Sequence, residues 1–295
     1  MISVRTLVRE KNPRLASRIH PAVYLLLERI AHTREINRYL NQAHDLPPVD
    51  ALRRGIDTLN LGYRIVTPDG RLWRPEAGWP HTDSRMTVVA NHPHGGADAL
   101  ILLDLLCRLH GTAHVPANDL VRVIAPLAPF FVPVNKHGSN RDQFRRMDSV
   151  FAASVPVLMF PAGRTGRPRN GRPISRTIDD FPWTKTFVKK SREHGRTIVP
   201  VFIHGRNSLL FYAVAWVRTR LRVRTNLEML LLVDELAKQR GRRFRIVVGS
   251  PIDAARLDRS RTDEQWAQAI RAYVHAMRGG ITADFFTWAT GYDGS

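Results

Sequence analysis

The sequence predicts an α/β protein: a mainly parallel or mixed central sheet flanked by helices, with an N-terminal helical appendage. From Thr87 onward, short β-branched apolar runs alternate with helix-length apolar patterns, as strands joined by crossover helices do. Residues 1–59 instead carry apolar residues at helical spacing, which separates an N-terminal helical segment from an α/β domain over residues 60–295. At 295 residues the chain is long enough to bury a sizeable core.

The elements follow in order. Ser17 to Ala43 places Ile19, Val23, Leu26, Leu27, Ile30 and Ile36 at helical spacing, and Pro47-Pro48 ends that pattern. A second short helix is read from Val49 to Leu59, the sheet begins at Leu61 to Val66, and Trp73 to Asp83 is a surface loop rich in Pro, Gly and polar residues. Thr87 to Ala90 reads as a short buried strand, stopped by Pro93, Gly95 and Gly96, and Ala97 to His110 as a helix. Three further runs, Phe130 to Lys136, Val155 to Arg164 and Thr197 to Tyr212, each lead from a strand into polar or basic residues. Four strands would thus deliver polar groups to turns, as a site at the strand ends of an α/β sheet requires. Phe244 to Val248 is a late strand with an exit turn at Gly249 to Ile252, and Thr262 to Met277 a C-terminal helix. There is no internal repeat.

The most informative stretch is Asn91-His92-Pro93-His94-Gly95-Gly96-Ala97-Asp98. It sets an imidazole and a carboxylate on either side of a glycine turn, directly after a strand. Asp98 in the first turn of the helix suits two jobs, accepting backbone N–H bonds at the positive helix end and holding the His92 ring in one tautomer. The bland reading is a helix cap beside a satisfied strand-end histidine. What weighs against it is the company: Phe160-Pro161-Ala162-Gly163 followed by Arg164, Arg167, Arg169, Arg172 and Arg176, and Gly205-Arg206-Asn207-Ser208 after a Val-Pro strand.

On those three blocks, over roughly residues 60 to 255, the chain resembles the glycerolipid acyltransferase superfamily. It is more similar to the branch of hemolysin-type and ornithine-lipid-type acyltransferases, whose blocks read Asn-His-Pro-x-Gly-Gly-x-Asp, Phe-Pro-Ala-Gly and Gly-Arg-Asn-Ser. It departs from the broader superfamily twice: five residues rather than four separate His92 from Asp98, and Ala162 stands where a glutamate is usual. Both departures match the closer branch. His94, with three residues between it and Asp98, fits neither spacing, so His92 is preferred as the base.

The resemblance implies transfer of a fatty acyl group from a thioester, acyl-ACP or acyl-CoA, to a hydroxyl of a lyso-lipid, without a further cofactor. His92 would take the hydroxyl proton and Asp98 would orient the ring and stabilise the imidazolium. The N–H groups of Gly95 and Gly96 are candidate oxyanion donors. Pro161, Gly163, Arg164 and Arg167 are candidate substrate contacts, since arginine forks bind phosphate or carboxylate in a bidentate way. Arg169, Arg172 and Arg176 fit a solvated basic loop equally well. Lys136 and Arg141 occupy the region of the superfamily's second block without its usual form, and Arg206 and Asn207 belong to the last block. Asn207 and Ser208 are both also good N-caps for the run Leu209 to Val217.

Charge sets the environment. With 45 Lys and Arg against 26 Asp and Glu the net charge is +19, a field that attracts anionic lipid surfaces, acidic carrier proteins or nucleic acid. No zinc-finger spacing, recognition helix or aromatic RNA-binding block is present, so nucleic acid is not expected as a partner. Anionic membrane lipids are, and acyl carrier protein is a further candidate. Leu209, Leu210, Phe211, Tyr212 and Trp216 beside Arg218, Arg220 and Arg222 suit interfacial binding as well as core packing. No run reaches the ~18 apolar residues of a spanning helix, and Met1 to His20 lacks the apolar core of a signal peptide. The expectation is a cytoplasmic protein, peripheral on the inner face of the membrane. Cys107, alone in an apolar pattern, reads as a buried small hydrophobe. A metal site is not read: the His-x-His pair lacks a continuing ligand pattern. A serine esterase lacks its Gly-x-Ser-x-Gly elbow. A catalytically silent lipid-binding relative is the main alternative.

Overall fold

The computed structural model describes residues 2–11, 13–73, 83–117, 124–133, 140–222 and 228–292. The chain opens with α1 (Val4–Lys11), α2 (Pro13–Arg18), α3 (Pro21–Ile30), α4 (Thr33–Ala43) and α5 (Pro48–Thr58). The helix read over Ser17 to Ala43 is therefore three helices. The reason is local: His20 caps α3 in an extended conformation ahead of Pro21, and His32 takes a left-handed φ of 48° between α3 and α4.

The central sheet is built from β1 (Gly62–Val66), β2 (Leu72–Trp73), β3 (Met86–Ala90) and four strands from later in the chain. After α6 (Gly96–His110) comes a separate pair, β4 (Val115–Ala117) and β5 (Phe131–Pro133), followed by α7 (Asn140–Ala152) and β6 (Val157–Met159). A small antiparallel pair, β7 (Arg167–Pro168) and β8 (Ile178–Asp179), precedes α8 (Thr186–Glu193) and β9 (Thr197–Ile203). The chain closes with α9 (Leu209–Arg220), α10 (Glu228–Lys238), β10 (Arg243–Val248), β11 (Ile252–Asp253), α11 (Asp263–Ala276) and α12 (Phe285–Ala289).

The strand order is β2-β1-β10-β9-β3-β6, with β11 on the side of β9. The sheet is mixed. Strands β6, β3 and β9 run parallel, whereas β10 is antiparallel to β9 and parallel to β1. The strand read at Phe130 to Lys136 lies outside it: among the described residues β5 pairs with β4 alone, and their sheet meets the central one at the bridge His114 to Val157. Of the four strands read as serving the site, β3, β6 and β9 therefore lie in the central sheet and β5 does not.

Alternation along the strands divides the interior in two. On one face Val88, Ala90, Leu158, Val199, Val201 and Ile246 meet α5 and α6 through Leu52, Ile56, Ile101 and Leu105. On the other, Val89, Met159, Ile198, Phe202 and Val247 meet α7, α8, α11 and α12 through Phe151, Phe187, Ile270 and Phe285. Helix α5 thus belongs to the main core, while α1 and α3 share a small cluster of their own around Val4, Tyr24 and Ala31. Cys107 is buried in α6. The fully buried Arg196 ties the start of β9 to its neighbours by donating to the carbonyls of Phe151, Ala153, Met86 and Val155. No described helix is long and apolar enough to cross a membrane.

Candidate active site

The site grows from the end of β3. Asn91 continues the ladder with its side chain, donating to the Ile203 carbonyl at 3.0 Å and accepting the Ile203 N–H at 2.6 Å. That anchors the turn between β3 and α6 to the end of β9. The chain then reverses at Gly95, whose φ of 85° favours glycine, and α6 begins at Gly96.

Asp98 is wholly buried and faces back into this turn. Its Oδ2 accepts the N–H groups of His94, at 2.8 Å, and Gly95, at 3.0 Å. Its Oδ1 bonds His94 Nδ1 at 2.8 Å, and Oδ2 lies 3.1 Å from His92 Nδ1, off the ideal hydrogen-bond line. Burial alone would raise this carboxyl; the charge and hydrogen bond of His94 and the close approach of His92 outweigh it and hold its pKa at about 2. Asp98 is thus both turn cap and imidazole partner.

Spacing separated the two histidines, but the fold brings both to Asp98. They differ in access. His94 is 2% exposed, with its ring edge-on to Phe244 and against the Cα of Gly205. His92 is 17% exposed, stacked on Phe160 at 4.1 Å between ring centroids. With Nδ1 toward Asp98, the opposite nitrogen of His92 is the one available to an outside proton. Gly95 is corrected as an oxyanion donor, because its N–H is taken by Asp98. Gly96 opens α6, where a first-turn N–H has no intrahelical partner.

The main chain of His92 is gripped from both sides. Its N–H donates to Asp180 Oδ1 at 3.2 Å, and its carbonyl accepts the Gly166 N–H at 2.9 Å. Asp180 Oδ2 accepts from Trp183 Nε1 at 2.9 Å. Burial raises the Asp180 pKa to about 6, against the lowering effect of Trp183 and the His92 N–H. The sequence reading missed Asp180, Gly166 and Trp183. Asp180 lies 88 positions from His92, and no motif spacing spans such a separation.

The Phe-Pro-Ala-Gly block supplies Phe160 to the His92 ring, and the Pro161 carbonyl accepts from the Thr184 N–H at 3.1 Å. Gly163 turns the chain at a φ of 64°. Arg164 is exposed over the Phe181 ring at 4.2 Å. Arg167 is half-buried, donating to Thr165 Oγ1 at 2.9 Å with its guanidinium over Phe211 at 5.1 Å. Arg169 pairs with Asp179, and Arg172 and Arg176 are exposed.

In the last block the roles divide. Arg206 is a brace inside the arginine loop, donating to the carbonyls of Ser175 at 3.0 Å and Pro173 at 3.1 Å. Ser208 caps α9 by accepting the Phe211 N–H at 3.2 Å, and is itself held by the buried Glu235 of α10. Asn207 is not the cap: its side chain is 2% exposed, and neither amide atom has a partner among the described residues. Leu232 and Leu236 of α10 approach Gly95 and Gly96, closing one side of the turn. Lys136 lies outside the described residues, as does the side chain of Arg141 in α7.

The arrangement offers a proton acceptor at the strand ends, a buried carboxylate behind it and cationic side chains along the adjoining loop. A family model described as Acyltransferase matches residues 5–283. The lyso-glycine lipid O-acyltransferase of Bacteroides thetaiotaomicron is 34% identical over 279 residues, covering 94% of this chain and 97% of that protein. The lyso-glycine lipid O-acyltransferase of Phocaeicola vulgatus is 33% identical over 279 residues, covering 94% and 95%. Among solved structures, the 1-acyl-sn-glycerophosphate (LPA) acyltransferase PlsC of Thermotoga maritima aligns at a TM-score of 0.46 with 15% identity, over 87% of this chain and 94% of that one. With a family match over most of its length and relatives alike almost from end to end, the chain belongs to the acyltransferase family.

Proposed function

We propose that the protein is a membrane-associated O-acyltransferase that moves a fatty acyl group from acyl-ACP or acyl-CoA to a hydroxyl of a lyso-lipid, with His92 as base and Asp98 as its partner. The observation that carries this reading is the buried Asp98 carboxylate 3.1 Å from the Nδ1 of a half-buried, outward-facing His92. In the reaction His92 takes the proton as the acceptor hydroxyl attacks the thioester carbonyl. The imidazolium, steadied by Asp98, then returns that proton to the thiolate as the carbon–sulfur bond breaks. Such proton transfer contributes typically ~10²- to 10⁴-fold.

The substrates of the two relatives put a lyso-glycine lipid first among acceptors to try. Membrane association is supported by α9. It buries Phe211, Tyr212 and Ala215 while exposing Leu209, Leu210, Trp216 and Val217, with Arg220 over the Trp216 ring at 5.6 Å. Apolar anchors beside cations suit the inner, anionic face of a cytoplasmic membrane.

The test is acyl transfer from labelled acyl-ACP and acyl-CoA to lyso-glycine lipid, lyso-ornithine lipid and lysophospholipid on anionic vesicles. Product with at least one pair is expected. Tight vesicle binding without product from any pair would replace this reading with that of a silent lipid-binding relative.

A further inference from the structure

On the sheet face that packs against α11, the rim near the active site carries arginines that pair with no carboxylate among the described residues. Strand alternation sets their direction. Val66 and Val247 belong to the α11-side core, so Arg64 and Arg245, two residues earlier on β1 and β10, stand on that same face. The register places Arg64 directly beside Arg245. His204 joins the row at the end of β9: its N–H donates to the Arg245 carbonyl at 3.0 Å, and its ring lies edge-on to Phe202 at 4.9 Å. Arg278, in the turn Met277–Gly279 after α11, acts on the same ring.

Like charges directly opposite on neighbouring strands destabilise a sheet. Among the described residues no carboxylate pairs with Arg64, Arg245 or Arg278. Two enclosed polar atoms in the row, Arg245 Nε and His204 Nε2, also have no hydrogen-bond partner there. Burial, and then Arg245, Arg278 and Arg64, push the His204 pKa down to about 4, so the ring is a neutral hydrogen-bonding group amid three cations. The row adjoins the active site. His275 of α11 has its ring 5.9 Å from Phe202 and its Nε2 accepting from the Asp180 N–H at 3.5 Å, and Asp180 holds His92.

We propose that Arg64 and Arg245, side by side next to His204, with Arg278 reaching in from the turn after α11, form a binding site for a phosphate ester of the acyl donor. Guanidinium forks match phosphate oxygens, and a dianion would neutralise the opposed charges on β1 and β10. The site rests on the proposed acyl-thioester reading and adds to it a place for the donor, separate from the Arg164 to Arg176 loop. Coenzyme A and the phosphopantetheine arm of an acyl carrier share this chemistry with a phospholipid head group, and the experiment separates them.

Coenzyme A, 4′-phosphopantetheine and inorganic phosphate are titrated into the full-length protein without vesicles, in wild type, in Arg64→Gln/Arg245→Gln and in Arg278→Gln. Arg278 sits on an exposed turn, so its variant keeps the test meaningful should the double variant misfold. At least about tenfold weaker binding is expected in the variants, with a similar rise in KM for the donor and little change in kcat or acceptor KM. The His204 ring, followed by NMR, should titrate at a higher pH once coenzyme A is bound. Unchanged binding would overturn the site. So would an effect confined to a phosphate-bearing lyso-lipid acceptor, or one confined to vesicle affinity. Transfer with an unaltered donor KM would sink the site alone. A protein that binds coenzyme A through these arginines yet transfers nothing would instead sink the functional reading.

Discussion

At the residue scale the site turns on one carboxylate with more work than spacing revealed. Asp98 was legible as a cap and as a partner for His92, because a strand end, a glycine turn and a helix start are local signals. Its second imidazole was not, since sequence separation does not reveal that a turn returns His94 Nδ1 to within 2.8 Å of the same carboxylate. Asn207 and Ser208 looked alike as caps, and only the fold shows that Ser208 caps while Asn207 is enclosed. His94 in turn depends on Gly205. A Cβ there would lie 2.1 Å from His94 Nε2, on a backbone with a φ of 137°. Gly205→Ala should therefore displace the His94 ring, cost on the order of 2 kcal/mol and depress acyl transfer. Melting and turnover measurements check this together, and wild-type values for both would show that the contact is unimportant.

At the scale of elements, β1, β3, β6, β9 and β10 of the central sheet were legible because their apolar runs are short and bounded by Pro, Gly and charge; the two-residue β2 and β11 were not, Trp73 being read into a surface loop and Ile252 into an exit turn. Strand β5 was legible as a strand but not by its partner, since pairing is set by tertiary contacts. The N-terminal helices show the complementary limit. Val23 and Leu26 follow helical spacing, yet they are 44% and 57% exposed, whereas Leu52 of α5 is fully buried against α6 and the sheet. Periodicity reports a face; it does not report what covers it. Leu52→Ala is expected to destabilise the protein by about 2–5 kcal/mol, whereas Leu26→Ala should change stability by less than about 0.5 kcal/mol. Denaturant unfolding of the two variants tests the assignment, and equal effects would contradict it.

At the scale of the whole molecule, burial and charge govern response to pH and salt. His204 and His275 are held near 4 when folded, mainly by burial, against an ordinary 6.5. The unfolded chain therefore binds more protons in that window, and the stability they contribute is lost as pH falls from 6.5 toward 4. Asp180 acts in the opposite sense. At about 6 folded against an ordinary 3.8, it penalises the fold above pH 6 and relieves that penalty as pH falls toward 3.8. Asp180→Asn should therefore lose stability more steeply than wild type between pH 6 and 4, and parallel denaturation curves would refute that assignment. With a net charge of +19, the proposed binding to anionic vesicles is expected to weaken as salt shortens the Debye length from ~10 Å toward ~3 Å. Salt-independent binding in a sedimentation assay would leave only the apolar face of α9 to account for it.

The most direct measurement compares acyl transfer by wild type, His92→Ala and His94→Ala on anionic vesicles carrying the lyso-lipid that wild type accepts. His92→Ala is expected to lose roughly 10²- to 10⁴-fold in turnover while keeping its melting temperature and vesicle binding. Product formation that survives His92→Ala, above all if it is abolished in a folded His94→Ala, would contradict the assignment of His92 as the base.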